Sequence, residues 1–362
     1  MFTAFLIAAA GLACTLQPPA APAPPAAKEP EAKARSVVEK LQGEAKGLMP
    51  LVKSDLAKQF LAATKNLPDV KTRTVYRNKE RGIAVNAAEY AKLAPEKQAD
   101  LKPRECTPEF YYYTGYGSPL VYARVVDLMA QHGVKGLGDA NVLDFGYGTV
   151  GHLRLLSQME ANASGVDVEP LFQALYSEAV DWTIPLRSPK GETLIGLEHT
   201  IQLHTGQWPA NAQLVKQVAS GGPFNVITSK NTLKAGYIHP KPPEGKTVNE
   251  AQLVKLGVDD AAYLKAVHDS LKPGGLFIIY NICPAQSPEG DLTKPYIPWA
   301  DGKSPFTKDQ FASAGLEVIA FDVDDQAWVL DCWKALGTDQ GKPRDEVAKD
   351  LFAWYTIARR KP

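Results

Sequence analysis

The sequence predicts an α/β fold: a Rossmann-like, seven-stranded, mostly parallel sheet with helices on both faces, preceded by an N-terminal helical extension. From residue 141 onward, short apolar runs alternate with stretches of helical periodicity, which is typical of a parallel sheet covered on both sides. A glycine-rich turn directly follows the first of these runs. The composition, 45% hydrophobic and 22% charged over 362 residues, is that of a globular protein.

The start of the chain differs from the rest. No charged residue precedes Lys28, residues 2–16 are apolar, and residues 17–30 contain six prolines and five alanines. An apolar segment that continues into a Pro/Ala tract is typical of an export signal and a linker. The Leu-Ala-Cys that ends at Cys14 resembles the end of a bacterial lipobox, although a glycine stands where that motif usually has leucine. We expect residues 1–30 to make the protein exported, either periplasmic or lipid-anchored; the alternative is a cytoplasmic chain.

Residues 31–108 are predicted to form a helical N-terminal cap. Apolar residues recur at helical spacing between Lys33 and Lys65, and a second helix-prone stretch covers residues 84–101. A segment with four tyrosines and two glycines follows at residues 109–119, and a helix over residues 120–132. Histidines, cysteines and carboxylates do not gather at ligand spacing in the first hundred residues, so we expect a cap and part of a substrate lid there.

Residues 109–362 are predicted to form the α/β domain. Helices separate its first five strands, and right-handed crossovers leave few topologies for them. The last strand is reached without a full crossover and is therefore a candidate for antiparallel pairing. The predicted strands are 142–145, 164–168, 200–205, 224–229, 275–281, 316–321 and 352–358.

The most informative segment is the turn after the first strand. The strand contains Asp144, glycines follow at Gly146, Gly148 and Gly151, and a helix begins there. This pattern is typical of a nucleotide-binding turn at the carboxyl end of a strand, where open α/β sheets bind ligands. Asp167 ends the next strand, about 20 residues on, at a place suited to accept both ribose hydroxyls.

Asp144 indicates which nucleotide binds. A carboxylate beside the turn would repel the pyrophosphate of a dinucleotide, which needs the N-terminus of the helix. The same carboxylate would suit an ammonium group. S-adenosylmethionine carries an ammonium, a ribose diol and an adenine but no phosphate, so it is favoured over NAD(P), and an NAD(P)-dependent reductase is the weaker alternative.

Residues 144–281 resemble a class I S-adenosylmethionine-dependent methyltransferase, here of a bacterial branch. Asp144, Gly146 and Gly148 match the DxGxG motif of that family, and Asp167 matches its ribose-binding acid. Leu-Lys-Pro-Gly-Gly at residues 271–275 matches the family's turn into the fifth strand. The resemblance implies S-adenosylmethionine as cofactor and methyl transfer to the oxygen or nitrogen of a small or medium-sized acceptor.

Two positions depart from the family pattern. Gly151 comes one place late as the third glycine. After the third strand, the acid that often binds the adenine amine is replaced by Gln207 and Trp208. The side-chain oxygen of Gln207 could accept from the amine and Trp208 could stack on the ring; the alternative is a surface glutamine and a packed tryptophan.

The end of the fourth strand faces the transferred methyl group in the family. We expect Ser229 to contact the cofactor and Lys230 and Asn231 to orient the acceptor. Transfer depends mainly on alignment, and a base is needed only when the acceptor must lose a proton. Tyr237 and His239 are the candidate bases, although His239 could instead stabilise a turn before a proline.

The tyrosine-rich segment offers one more cofactor contact. In the family, the region ahead of the first strand often covers the methionine end of the cofactor. Tyr116, or Tyr113, could cover the sulfonium by cation–π attraction. The alternative is that these aromatic residues pack the helical cap against the sheet.

Composition excludes several other classes. Forty Lys and Arg balance forty Asp and Glu, which argues against a broad electrostatic grip on nucleic acid. The sequence has no zinc-ligand spacing, so we expect no metal. Because exported proteins meet little S-adenosylmethionine, the second functional hypothesis is a methyltransferase-like envelope binding or scaffolding module without transfer activity.

Overall fold

The computed structural model describes residues 36–115, 117–187 and 193–362. The expected export segment, Cys14 and Tyr116 lie outside these residues. The strands are β1 (Arg73–Asn78), β2 (Ile83–Asn86), β3 (Lys102–Cys106), β4 (Asn141–Phe145), β5 (Asn162–Asp167), β6 (Thr183–Arg187), β7 (Thr193–Thr200), β8 (Gln202–Thr205), β9 (Phe224–Lys230), β10 (Leu271–Pro284), β11 (Leu316–Asp324) and β12 (Leu351–Arg360).

The α-helices precede and connect these strands, and short 3₁₀ turns extend several of them. The helices are α1 (Val37–Leu48), α2 (Asp55–Ala62), α3 (Ala87–Tyr90), α4 (Pro95–Ala99), α5 (Pro108–Tyr112), α6 (Ala123–Gln131), α7 (Gly151–Gln158), α8 (Pro170–Leu175), α9 (Ala179–Trp182), α10 (Ala212–Ala219), α11 (Ala235–Ile238), α12 (Asp260–Ser270), α13 (Lys308–Ser313), α14 (Gln326–Ala335) and α15 (Arg344–Val347). Among the described helices, none combines the length and apolar character that crossing a membrane requires.

The central sheet confirms the predicted fold class. Its seven strands lie in the order β11-β12-β10-β9-β4-β5-β8. Strands β8, β5, β4, β9 and β10 run parallel to one another, and β12 is antiparallel to both β10 and β11, as predicted for the last strand. The strand order reverses at β4, between β5 and β9, and open α/β sheets bind ligands at the carboxyl edge of such a switch point.

The two faces of the sheet carry different sets of helices. Strands β4, β9 and β10 contribute alternate residues to two hydrophobic cores, as the two-residue period of a strand requires. Val226 belongs to the core under α1, α2, α6, α7 and α14, whereas Ile227 belongs to the core under α10, α12 and α13. Both faces are thus covered, which is why these strands read as continuous apolar runs.

The part before residue 108 contains strands as well as helices. β2, β1 and β3 form an antiparallel sheet, and the helix-prone stretch over residues 84–101 contains the end of β2 and two short helices, α3 and α4, where one long helix would be expected from its composition. The side chain of Asn86 caps the short α3 by accepting from the Glu89 N–H (2.8 Å), and Pro95 starts the separate α4. Neither helix buries a residue. Residues 84–101 favour helix by composition but have no apolar face to pack against the protein, and a long helix is not stabilised without such packing.

A buried carboxylate joins the helical cap to the α/β domain. Asp127 of α6 is fully buried and accepts from the N–H of Lys53 (2.9 Å), the N–H of Ser54 (2.7 Å) and the Ser54 hydroxyl (2.6 Å). Ser54 is also the residue that caps α2. The start of α2 is therefore held in place by α6, which lies directly before the β4 strand.

Candidate functional site

The glycine turn after β4 lies at the switch point of the sheet. Gly146 (φ 77°) and Gly148 (φ 62°) both have left-handed backbone conformations, which favour glycine. A Cβ on Gly146 would lie 2.2 Å from Oγ1 of Thr232, whereas one on Gly148 would make only an ordinary contact with Thr114 (3.7 Å). Thr232 therefore covers Gly146, and the less crowded part of the turn is at Gly148.

Gly151 allows the start of α7 to pack closely against the tyrosine-rich segment. It is the first residue of α7, and a Cβ there would lie 2.6 Å from the carbonyl oxygen of Tyr112 and 3.0 Å from Cβ of Pro119. Both neighbours belong to the tyrosine-rich segment, residues 109–119. The third glycine, late by one place in the motif, thus lets α7 approach that segment.

Asp167 lies beside the turn at the end of β5. Its Oδ2 accepts from the Gly148 N–H and its Oδ1 from the Glu169 N–H, both at 3.0 Å. Burial raises the pKa of this carboxyl, and the backbone hydrogen bonds oppose that change. The following residue, Val168, is 63% exposed. A carboxylate next to an exposed apolar side chain is an arrangement that can hold a diol and one face of a base.

Asp144 is enclosed, which differs from the expectation that it faces a ligand ammonium. It is 1% exposed. Oδ1 accepts from the hydroxyls of Tyr122 (2.7 Å) and Thr228 (2.6 Å), and Oδ2 lies 2.8 Å from Nε2 of His152. The rings of Tyr122 and His152 stack at 4.3 Å. Three side chains from separate elements therefore already occupy this carboxylate.

Sequence reasoning missed these three partners. His152 directly follows the last glycine of the turn, a signal that could have been weighed. Tyr122 lies in an apolar stretch, and Thr228 in a strand where threonine is common. Their role becomes visible only when β4, β9 and α7 are brought together.

The adenine-binding candidates after β8 have structural partners. Gln207 is exposed, and its Nε2 donates to the carbonyl of Lys255 (3.0 Å). Trp208 is 1% exposed, and its ring lies 6.1 Å from that of Phe145 and 5.7 Å from that of Tyr263. Nε1 of Trp208 is buried without a hydrogen-bond partner among the described residues. The geometry thus resembles the alternative stated above, a surface glutamine and a packed tryptophan.

Three polar residues, Ser229, Lys230 and Asn231, lie at and directly after the end of β9. Ser229 is buried, and its Oγ has no partner in the described part of the chain. Asn231 has a left-handed backbone (φ 64°), and its Oδ1 accepts from the Ile282 N–H (2.7 Å), which joins β9 to β10. Lys230 is half-buried; burial lowers the pKa of its ammonium to about 8, and Asp144 opposes that change.

Tyr237 lies in the short α11 that follows β9, and His239 comes directly after this helix. His239 is largely exposed, and its Nε2 is 2.9 Å from Oδ2 of Asp260, which also accepts from Gln310 (2.8 Å). The ring of half-buried Tyr237 lies 5.7 Å from Nζ of Lys234. Lys234 donates to two backbone carbonyls (2.6 and 3.2 Å), and burial lowers its pKa to about 7. The described contacts therefore place His239 against the half-buried carboxylate of Asp260.

The tyrosine-rich segment packs the cap against the sheet. The hydroxyls of Tyr113 (2.8 Å) and Ser118 (2.6 Å) both donate to the carboxylate of Glu44 on α1. Tyr111 donates to Asp181 (2.9 Å) and Tyr112 to the carbonyl of Pro68 (2.5 Å). Tyr116, the candidate cofactor contact, lies outside the described residues. Within the described ranges, no cluster of His, Cys, Asp or Glu could hold a metal ion.

Comparison with known proteins gives structural likeness only. No protein-family model and no curated protein matches the chain. Similar solved structures include a phosphoethanolamine N-methyltransferase 2 from Haemonchus contortus with S-adenosylhomocysteine (14% identity, TM-score 0.39, 68% of this chain and 55% of that one). A second is the [4+2]-cyclase SpnF (16% identity, TM-score 0.36, 69% of this chain and 86% of that one). A third is geranyl diphosphate C-methyltransferase from Streptomyces coelicolor (12% identity, TM-score 0.36, 67% of this chain and 79% of that one). At these values the likeness carries no argument about ligand or activity.

Proposed function

We propose that this protein is an S-adenosylmethionine-dependent methyltransferase that acts on the oxygen or nitrogen of a small or medium-sized acceptor. The observation that carries the proposal is Asp167. Its carboxylate lies at the end of the strand beside the glycine turn, is positioned by the Gly148 N–H, and is followed by the exposed Val168. This combination suits a nucleoside whose two ribose hydroxyls donate to one carboxylate.

The residues present fit a nucleoside without phosphates better than a dinucleotide. A pyrophosphate would need the free N–H groups at the start of α7. There the Val150 N–H donates to the hydroxyl of Tyr176 (3.2 Å), and the hydroxyl of Thr149 donates to the Tyr112 carbonyl (3.0 Å). Protein groups thus cover the place where a pyrophosphate would bind, which disfavours the NAD(P) alternative.

Four residues are suited to hold S-adenosylmethionine. Asp167 would accept from the ribose, Val168 would contact the adenine, and Gly148 would allow close approach of the backbone. Ser229 supplies a buried hydroxyl that still lacks a partner among the described residues. When bound, the cofactor supplies a methyl group already activated by its positive sulfur.

The chain's own contribution is alignment and proton transfer. Lys230 is the last residue of β9, next to the switch point, and its side chain is half-buried. Because its pKa is about 8, the Lys230 side chain is neutral in a substantial fraction of the molecules near pH 8. In that form it can accept a proton from an O–H or N–H of the methyl acceptor. His239 and Tyr237 stay predictions for the same role, with His239 the less favourably placed because Asp260 already engages it.

Calorimetric titration of the full chain with S-adenosylmethionine tests the cofactor. We expect binding that Asp167→Asn weakens about tenfold or more, since bonds to a charged acceptor are lost. Asp345→Asn, at an exposed position of α15, is the matched control and should bind like the parent. Absence of binding by the folded parent refutes the proposal, and binding of NADH that depends on Asp167 would replace it with the reductase hypothesis.

Transfer itself needs a separate measurement. Thr232 packs over Gly146, an observation that favours the second hypothesis of a binding module with a partly closed site. A cell extract supplied with the protein and methyl-labelled S-adenosylmethionine distinguishes the two. A labelled product that requires Lys230 supports the enzyme, whereas cofactor binding without any product supports the module.

The cellular location forms a further part of the proposal. We propose that residues 1–30 direct export and that Cys14 tethers the protein to the envelope. Fractionation of cells that express the full chain, compared with Cys14→Ser, tests this: the parent should appear with membranes and the variant in the soluble envelope fraction. Equal recovery of both in the cytoplasm contradicts it.

A further inference from the structure

The antiparallel sheet formed by β1, β2 and β3 contacts the helix that follows Asp167. That helix, α8, begins three residues after Asp167, and both β1 and β2 pack against it. The side chain of Asn86, the last residue of β2, donates to the hydroxyl of Ser177 just beyond the helix (3.1 Å). A part of the chain that precedes the α/β domain therefore lies beside the edge of the nucleoside site.

Two arginines of β1 hold α8 at its two ends. Arg73 and Arg77 are four positions apart, so both side chains project from the same face of the strand. Nη1 of Arg73 donates to the carbonyl of Leu175 (2.8 Å), the last residue of α8. Nη2 of Arg77 lies 3.2 and 3.3 Å from the two carboxylate oxygens of Glu169, which directly precedes α8. One strand thus fixes both ends of this helix.

Glu169 connects the ion pair with Arg77 to the proposed ribose-binding acid. The N–H of Glu169 donates to Oδ1 of Asp167 (3.0 Å), and its Oε1 accepts from the N–H of Leu171 (3.0 Å) at the start of α8. The exposed Val168 lies between the two acids. The conformation of residues 167–169 therefore depends on where the side chain of Glu169 is held.

The ion pair is partly shielded from water. The side chains of Arg77 and Glu169 are 14% and 32% exposed, so solvent screens their attraction less than it screens a fully exposed pair. Burial raises the pKa of Asp167, and the charge of Glu169 raises it further. Arg77 therefore both anchors Glu169 and neutralises a carboxylate that would otherwise repel Asp167.

We propose that Arg77 is a positioning residue of the cofactor site, which acts through Glu169 to orient the Asp167 carboxylate and the Val168 side chain toward a bound nucleoside. This inference rests on the proposed function, because it concerns the same site. It gives the sheet of β1, β2 and β3 a part in cofactor binding that requires no contact with the cofactor itself.

The sign of the effect distinguishes positioning from charge. S-adenosylmethionine has a net positive charge, since its ammonium and sulfonium outweigh its one carboxylate. Removal of a nearby arginine would by charge alone strengthen the binding of such a cation. Loss of the anchor for Glu169 would instead weaken it, so weaker binding by Arg77→Met reports positioning.

Calorimetric titration of the full chain with S-adenosylmethionine measures this effect. We expect Arg77→Met to weaken binding about tenfold, because the site is no longer held in its binding geometry. A single nitrogen of Arg77 contacts both oxygens of Glu169, a contact that an ammonium can also make, so Arg77→Lys should bind within about threefold of the parent. Arg81→Met, which removes an exposed arginine paired with Asp100, is the matched control and should bind like the parent.

Two further measurements test whether Glu169 transmits the effect. In a Glu169→Gln background, Arg77→Met should weaken binding less than it does in the parent, because the ion pair is already lost. Hydrogen exchange without ligand gives a readout that is independent of the cofactor. Arg77→Met should speed exchange of the Glu169 N–H, which donates to Asp167, whereas Arg81→Met should not.

The outcomes separate this inference from the proposed function. Absence of binding by the folded parent refutes the proposed function, and this inference with it. Binding by the parent that Arg77→Met leaves unchanged or strengthens refutes only the role of Arg77. The same holds if exchange at Glu169 is unchanged in Arg77→Met, if Arg77→Lys binds as weakly as Arg77→Met, or if the Glu169→Gln background leaves the loss at its full size.

Discussion

Two buried tyrosines of this protein should respond in opposite ways to the loss of a hydroxyl. Tyr122 and Tyr263 are 2% and 0% exposed. The Tyr122 hydroxyl donates to the Asp144 carboxylate at 2.7 Å, whereas the Tyr263 hydroxyl is buried without a partner in the described part of the chain. Replacement of either tyrosine by phenylalanine removes one oxygen atom from the interior, so the two variants should have similar packing effects on stability. The difference between their free energies of unfolding should therefore report the hydrogen bond of Tyr122.

The expected magnitudes follow from these contacts. A hydrogen bond to a charged group stabilises by about 1.5–3 kcal/mol, and its loss leaves a buried carboxylate with one donor fewer. We therefore expect Tyr122→Phe to lower the free energy of unfolding by roughly 2 kcal/mol. Tyr263→Phe removes an unsatisfied group and should be neutral or raise that free energy by roughly 1 kcal/mol.

Urea denaturation of the full chain, followed by tryptophan fluorescence at pH 7, measures the two effects. With a slope of about 3 kcal/mol per molar urea, the Tyr122→Phe midpoint should fall by roughly 0.7 M. In an Asp144→Asn background the same change should cost less, because the charged acceptor is already gone. Equal losses for Tyr122→Phe and Tyr263→Phe, or full additivity with Asp144→Asn, would refute the network as described.

Three more variants test other parts of the structure. Lys230 has a pKa of about 8 in the folded chain and about 10.4 when unfolded, so its own contribution to stability should rise as the pH goes from 8 to 10.5, by no more than about 3 kcal/mol. In urea unfolding at pH 7, 8.5 and 10, the stability of the parent relative to Lys230→Met should therefore increase with pH, since Lys234 and the buried tyrosines titrate alike in both. Gly151→Ala places a methyl group 2.6 Å from a backbone carbonyl oxygen, so it should lower the free energy of unfolding by about 1–3 kcal/mol and lower the melting temperature with it. Gly43→Ala, which has open space around the new methyl group, should not lower the melting temperature. Asp325→Ala leaves Arg124 buried without its pair and should cost about 3–5 kcal/mol in urea unfolding; a loss below 1 kcal/mol contradicts the pairing.

The sheet was predictable from the sequence because local signals and global packing agree there. Apolar runs such as residues 142–145 and 275–281 are buried on both faces, and the turns between them carry glycine or proline. The short strands before residue 108 were not predictable. β3 is a run of exposed residues that ends in Cys106, and only pairing with β1 makes it a strand, so it lacks the alternation that a sequence pattern shows.

The geometry of the candidate site was predictable from the sequence, whereas the contacts of each side chain were less so. Backbone requirements placed Gly146, Gly148 and Asp167 at one edge of the sheet, since strand ends and left-handed turns follow from the pattern. Whether a carboxylate faces a ligand or the interior depends on side chains that approach from other elements. Asp144 is enclosed by side chains from three separate segments, and the spacing of residues along the sequence does not predict such contacts.

The position of β12 between β10 and β11 has a consequence for how the chain folds. β11 pairs only with β12 within the described sheet, so residues 316–324 cannot join the sheet until residues 351–360 have been synthesised. At the other end of the chain, α1 packs against α14, with Gly47 close to the carbonyl of Ala335. Such long-range contacts delay folding, so β11 and α1 should complete their native packing only after α14 and β12 have been synthesised.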